Sequence, residues 1–136
     1  MGPLDHVGIA VRRLDEAIAR YALLGFGAES VEELPAEGVR VAFLPAGDAR
    51  LELLESTRAD SAIARFLERR GEGLHHVAFE VPDVREAIGS AEAAGLRLVD
   101  REPRRGARGR LVAFVHPASV GGVLVEFVQP APSRER

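Results

Sequence analysis

Cysteine is absent from the 136-residue chain, which excludes disulfides and thiolate metal sites. Lysine is absent too. All 18 basic residues are arginine, so Schiff-base chemistry on a lysine is ruled out. There is no tryptophan, a single tyrosine, and an aromatic fraction of only 5%. Together with a formal net charge of −3, this speaks against a nucleic-acid partner. No apolar run approaches the roughly 20 residues of a membrane span. The opening MGPLDHVGIAV lacks the basic segment and apolar stretch of a signal peptide, so a cytoplasmic protein is expected. What is present, 46% hydrophobic and 29% charged residues, is the balance of a globular protein. One dense basic segment, REPRRGARGR (101–110), reads first as a solvated loop and second as an anion site.

An internal repeat organises the chain. HVGIAVRRLDEAIARYALLGF (6–26) aligns without gaps on HVAFEVPDVREAIGSAEAAGL (76–96), with seven identities in 21 positions. The match resumes where Val41-Ala42-Phe43 recurs as Val112-Ala113-Phe114, and Leu51-Glu52-Leu53-Leu54 resembles Val125-Glu126-Phe127-Val128. The second copy carries three extra residues in its last hairpin, where insertion is cheap.

Each copy reads as strand, helix and three strands. Leu4–Val11 alternates, with Val7, Ile9 and Val11 on one face and His6, Gly8 and Ala10 on the other. Leu14, Ala17, Ile18 and Tyr21 form the stripe of a helix near 14–24, which Gly25 ends. Strands near 27–33, 39–44 and 50–55 follow, and the second copy repeats the plan with Asp83 as a helix N-cap. Between the copies, residues 59–73 read as a short amphipathic helix. The expected architecture is a single α+β domain over 1–136. It contains two tandem βαβββ modules, 4–56 and 73–129, joined by a linker helix within 57–72.

Four polar residues stand out against this pattern. The aliphatic face of each first strand is the natural partner of its helix, so His6 and His76 point to the other side of the sheet. His75, next to His76, lies on the helix side and reads as structural. Glu52 sits between Leu51 and Leu53, and Glu126 between Val125 and Phe127. A carboxylate inside such a strand needs a partner, because burying it alone costs several kcal/mol. Glu55 alternates with the other face and reads as surface. Two histidines and two glutamates at repeat-equivalent positions suit a divalent cation such as Co, Mn, Ni, Zn or Fe.

At this level of detail the chain resembles the vicinal oxygen chelate superfamily, and within it methylmalonyl-CoA epimerases. The resemblance runs through LDHVGIAV (4–11), EGVRVAFLPAGDARLELLE (37–55), TRADSAIARFLERRGEGLHHVAFEV (57–81), EPRRGARG (102–109) and FVHPASVGGVLVEFV (114–128). It implies a half-open mixed β-barrel around a metal held by His6, Glu52, His76 and Glu126. It implies proton transfer at C2 of an acyl-CoA thioester, with Glu126 as the first candidate base and Glu52 as the second. It also implies a homodimer. One position departs from the pattern. Some epimerases carry a glutamate, proposed as a base, where this chain has Val41. Valine moves no proton, so either the two glutamates share the base roles or another group supplies the second. His116 is read either as a hairpin cap or as a substrate-orienting group. The nearest rival activity is that of a glyoxalase I-like lactoylglutathione lyase, which uses the same metal set. An extradiol dioxygenase needs an open two-His, one-carboxylate site, and a drug-sequestering protein of this fold needs stacking aromatics. Both fit less well.

Overall fold

The computed structural model describes residues 1–131; residues 132–136, the end of the expected domain, lie outside the described residues. In the first copy β1 (Leu4–Ala10) leads to α1 (Leu14–Leu23), β2 (Ser30–Leu34), β3 (Val39–Ala46) and β4 (Ala49–Ser56). α2 (Ala62–Arg70) follows. The second copy then runs β5 (Gly73–Glu80), α3 (Val84–Ala93), β6 (Arg104–Arg105), β7 (Leu111–Val115) and β8 (Val125–Gln129).

Two compact units result, one spanning His6–His75 and the other joining Met1–Asp5 to the chain from His76 onward. Within the first the strand order is β2-β3-β4-β1, and within the second β5-β8-β7-β6. β1 runs parallel to β4, and β5 parallel to β8; the other pairings within each unit are antiparallel. Each unit is therefore the same α+β motif. Residues 2–3 belong with the second unit because they pair with β5. The Gly2 amide donates to the Glu80 carbonyl at 3.0 Å, and the Glu80 amide donates to Pro3 at 2.9 Å. A Cβ at Gly2 would overlap that carbonyl oxygen, so no side chain is tolerated there.

The expected apolar stripes make the cores. Leu14 and Ala17 of α1 pack with Val11, Ala42, Leu44 and Leu53. Val84, Ile88 and Ala91 of α3 pack with Val81, Ala113, Val115 and Phe127. Asp83 caps α3 as expected, accepting from the Arg85 and Glu86 amides at 2.9 and 3.2 Å. α1 is capped from a distance instead. Its N-cap, Arg13, offers no side-chain bond, and Glu55 of β4 accepts from the Leu14 amide at 3.4 Å. Glu55 is thus not the simple surface residue expected. It also pairs with Arg40 at 3.2 Å.

Within the expected segment 59–73, α2 starts only at Ala62 and stops at Gly71, where the sequence also ends it. Ser61 starts it by accepting from the Ala64 amide at 3.0 Å, and Gly71 (φ 76°) ends it. The Ser61 hydroxyl also lies 2.7 Å from that of Ser56, and the residue is buried. Ser61→Ala is expected to lower unfolding free energy by about 1 kcal/mol, read as a lower urea midpoint at unchanged slope.

The second copy does not repeat β2 in full. Residues 98–105 contribute one isolated bridge, Leu98 to Val115, and the two-residue β6. The physical reason lies in the residues between. The Asp100 carboxylate takes the place of a strand carbonyl, accepting from the Phe114 amide at 2.9 Å, and Pro103 has no amide to give. No helix among the described residues is long and apolar enough to cross a membrane.

Candidate active site

Each unit carries a His–Glu pair on the sheet face turned away from its helix. In the first unit, β1 alternation puts His6, Gly8 and Ala10 on that face, and parallel register sets Gly8 beside Glu52. Antiparallel register sets Phe43 on the other side of Glu52. Gly8 adds no side chain beside the carboxylate. His6 and Glu52 are 3% and 4% exposed, and His6 Nδ1 lies 3.2 Å from Glu52 Oε2. Val41, Phe43 and Leu54 are buried around them. Val41 itself is 1% exposed and opposite Leu54 on this same face.

The second unit repeats the arrangement. Glu126 has Ala78 on one side and Phe114 on the other. His76 Nε2 lies 3.1 Å from Glu126 Oε1, with the two residues 7% and 6% exposed. The Phe114 ring meets the His76 ring edge to face, centroids 5.4 Å apart at 88°. Ala78, Val112 and Val128 form the buried floor. The small residue beside the glutamate, Gly8 or Ala78, is conserved in kind between the copies. The contacting ring nitrogen is not: Nδ1 serves in the first unit and Nε2 in the second.

The structure thus brings His6 to Glu52 and His76 to Glu126, each within its own unit. Their donors fit a divalent cation. Two ligands about 2.1 Å from one ion at right angles lie about 3.0 Å apart, close to the observed 3.1 and 3.2 Å. Imidazole nitrogen and carboxylate oxygen are also the borderline donors such ions take.

The remaining histidines are accounted for as scaffold. His75 packs edge-on against Phe66 of α2, ring centroids 5.0 Å apart. His116 Nδ1 accepts from the Ala118 amide at 3.1 Å, so it is the hairpin cap.

The basic segment 101–110 departs from a plain solvated loop. Arg110 is buried, and its guanidinium forms a two-pronged pair with buried Asp5 at 2.8 and 3.0 Å. Sequence reading missed this pair because nothing local links residues 105 positions apart. The one available signal was a carboxylate at the start of a largely apolar strand. Arg110→Met removes the two-pronged partner of the buried Asp5 carboxylate and is expected to cost about 3–5 kcal/mol of stability. Asp5→Leu with Arg110→Met should recover most of it. Denaturant midpoints of the three proteins check both statements.

Comparison with known proteins places the chain. Residues 5–114 match the model of the Glyoxalase/Bleomycin resistance protein/Dioxygenase superfamily. The ethylmalonyl-CoA/methylmalonyl-CoA epimerase of Cereibacter sphaeroides is 39% identical, over 95% of this chain and 98% of that protein. The mitochondrial methylmalonyl-CoA epimerase of Homo sapiens is 39% identical, over 95% of this chain and 74% of that protein. Among solved structures, a variant of the Streptomyces coelicolor methylmalonyl-CoA epimerase, in complex with 2-nitronate-propionyl-CoA, is 38% identical. It covers 100% of this chain and 99% of its own, with a TM-score of 0.93. The chain belongs to the Glyoxalase/Bleomycin resistance protein/Dioxygenase superfamily, and within it to the methylmalonyl-CoA epimerases.

Proposed function

We propose that the chain interconverts (2R)- and (2S)-methylmalonyl-CoA by removing the C2 proton and delivering a proton to C2 on the opposite face. The observation that carries this reading is the duplicated, buried His–Glu pair, in a chain whose relatives are epimerases of that substrate. His6, Glu52, His76 and Glu126 would hold one divalent ion, drawn from Co, Mn, Ni, Zn or Fe. When bound, such an ion supplies positive charge that stabilises the enolate formed at the thioester.

The protein's own residues do the rest. Glu126 takes the C2 proton on one face and keeps it, while Glu52, at the equivalent position of the other unit, gives C2 a proton from its own carboxyl; both groups then re-equilibrate with solvent. Val41, Phe43 and Leu54, buried around Glu52, exclude water from that carboxylate. Phe114 does the same beside Glu126 and fixes the His76 ring. Val41 offers no proton, so proton transfer on the first unit's face falls to Glu52. A homodimer in the cytoplasm belongs to the same proposal, and light scattering on the purified protein tests the dimer.

The lactoylglutathione lyase reading rests on the same four side chains, but the relatives reported above favour the epimerase. Parallel assays on methylmalonyl-CoA and on the glutathione hemithioacetal separate them. Turnover of the first substrate alone is expected; turnover of the second alone would overturn the reading.

A further inference from the structure

Arg104 stands on the site face of the second unit. β6 pairs Arg104 with Val112 and Arg105 with Leu111. Antiparallel partners share a face, and Val112 shares its face with Phe114, the residue opposite Glu126. Arg104 therefore rises on the side that carries His76 and Glu126, while Arg105 points to the other. The Arg104 guanidinium lies over the Phe114 ring, 5.7 Å from its centroid, and the same ring abuts His76.

The guanidinium is held in orientation. Its Nε lies 2.9 Å from Asp100 Oδ1, and its Nη2 donates to Asp100 Oδ2 at 3.3 Å. Asp100 is itself fixed, because Oδ2 accepts from the Phe114 amide at 2.9 Å and its side chain is only 12% exposed. Arg104 nonetheless keeps 40% of its side chain exposed. A pair made only for stability gains little at such a half-open place. A planar fork, lying over an aromatic ring and aimed by a half-buried carboxylate, is instead the arrangement that binds oxyanions. The ordering cost that weakens a flexible arginine is already met by Asp100 and Phe114.

We propose that Arg104 is a specificity-determining residue that binds an oxyanion of the acyl-CoA substrate. The proposal rests on the function assigned above for its substrate class. Two parts of that substrate carry the required chemistry: the acyl carboxylate and the CoA phosphates.

Equilibrium binding tests it without turnover. Malonyl-CoA, propionyl-CoA and malonyl-pantetheine are titrated into wild type, Arg104→Met and Arg104→Lys, each checked for an unchanged melting profile. Arg104→Met is expected to bind malonyl-CoA about ten- to a hundredfold more weakly, the loss of a charge-assisted hydrogen bond. Arg104→Lys, which keeps the charge and loses the fork, should recover part of it. If the acyl carboxylate is the ligand, propionyl-CoA binding is insensitive to Arg104→Met. If a phosphate is the ligand, malonyl-pantetheine binding is the insensitive one. Equal affinity of wild type and both variants for malonyl-CoA overturns the proposal. Should Arg104→Met fail to fold, Arg104→Lys decides alone, and wild-type affinity in that variant counts against the proposal. Failure of wild type to epimerise methylmalonyl-CoA would overturn the catalytic reading and leave this comparison fully readable.

Discussion

Glu126→Gln is expected to lower the epimerisation rate by about 10²- to 10⁴-fold, the span typical of removing a positioned general base. The amide keeps the shape of the carboxylate and an oxygen donor, and loses the capacity to take a proton. Glu126 is buried against Phe114 and Ala78, so a near-isosteric change leaves the strand packing in place. The informative readout is the split between steps. Substrate affinity should change far less than kcat, and exchange of the C2 hydrogen with solvent should fall with kcat. A variant that holds its metal and exchanges at the wild-type rate would remove Glu126 from the base role and leave it a ligand only.

The second large effect concerns the metal. His76→Ala removes one of four proposed donors and leaves Glu126 buried without the imidazole 3.1 Å away. Bound divalent ion, measured on dialysed protein, is expected to fall from about one per chain toward zero, with activity falling alongside. Stability gives an independent reading. A ligand that binds only the folded state stabilises it by about 2.7 kcal/mol at a hundredfold excess over its dissociation constant. Added metal should therefore raise the melting temperature of wild type and leave that of His76→Ala nearly unmoved. The same outcome is expected for His6→Ala, because the His6 ring makes the equivalent contact with Glu52 in the first unit.

The repeat explains why so much was legible beforehand. Alternation in a strand has only two phases, so the helix-facing aliphatics fixed the side on which His6 and His76 stand. The duplication then identified His76 over His75 and tied Glu52 to Glu126. Apolar stripes in α1 and α3 needed no tertiary information, since each packs on its own hairpin. What escaped was whatever depends on a side chain reaching across the fold. Glu55 caps α1 from 41 positions away, and Asp5 meets Arg110 across 105. The truncated β6 also escaped, because its cause is Asp100 substituting a carboxylate for a strand carbonyl, which no periodicity records. Arg104 lay inside a run of arginines whose members differ only in their strand register.

Deuterium incorporation at C2 of methylmalonyl-CoA, followed in D₂O with protein of known divalent-metal content, tests the central claim most directly. Incorporation should proceed at a rate that scales with bound metal, stop on chelation and return when metal is restored. Wild-type protein carrying a full complement of metal and leaving the C2 hydrogen unexchanged would contradict it.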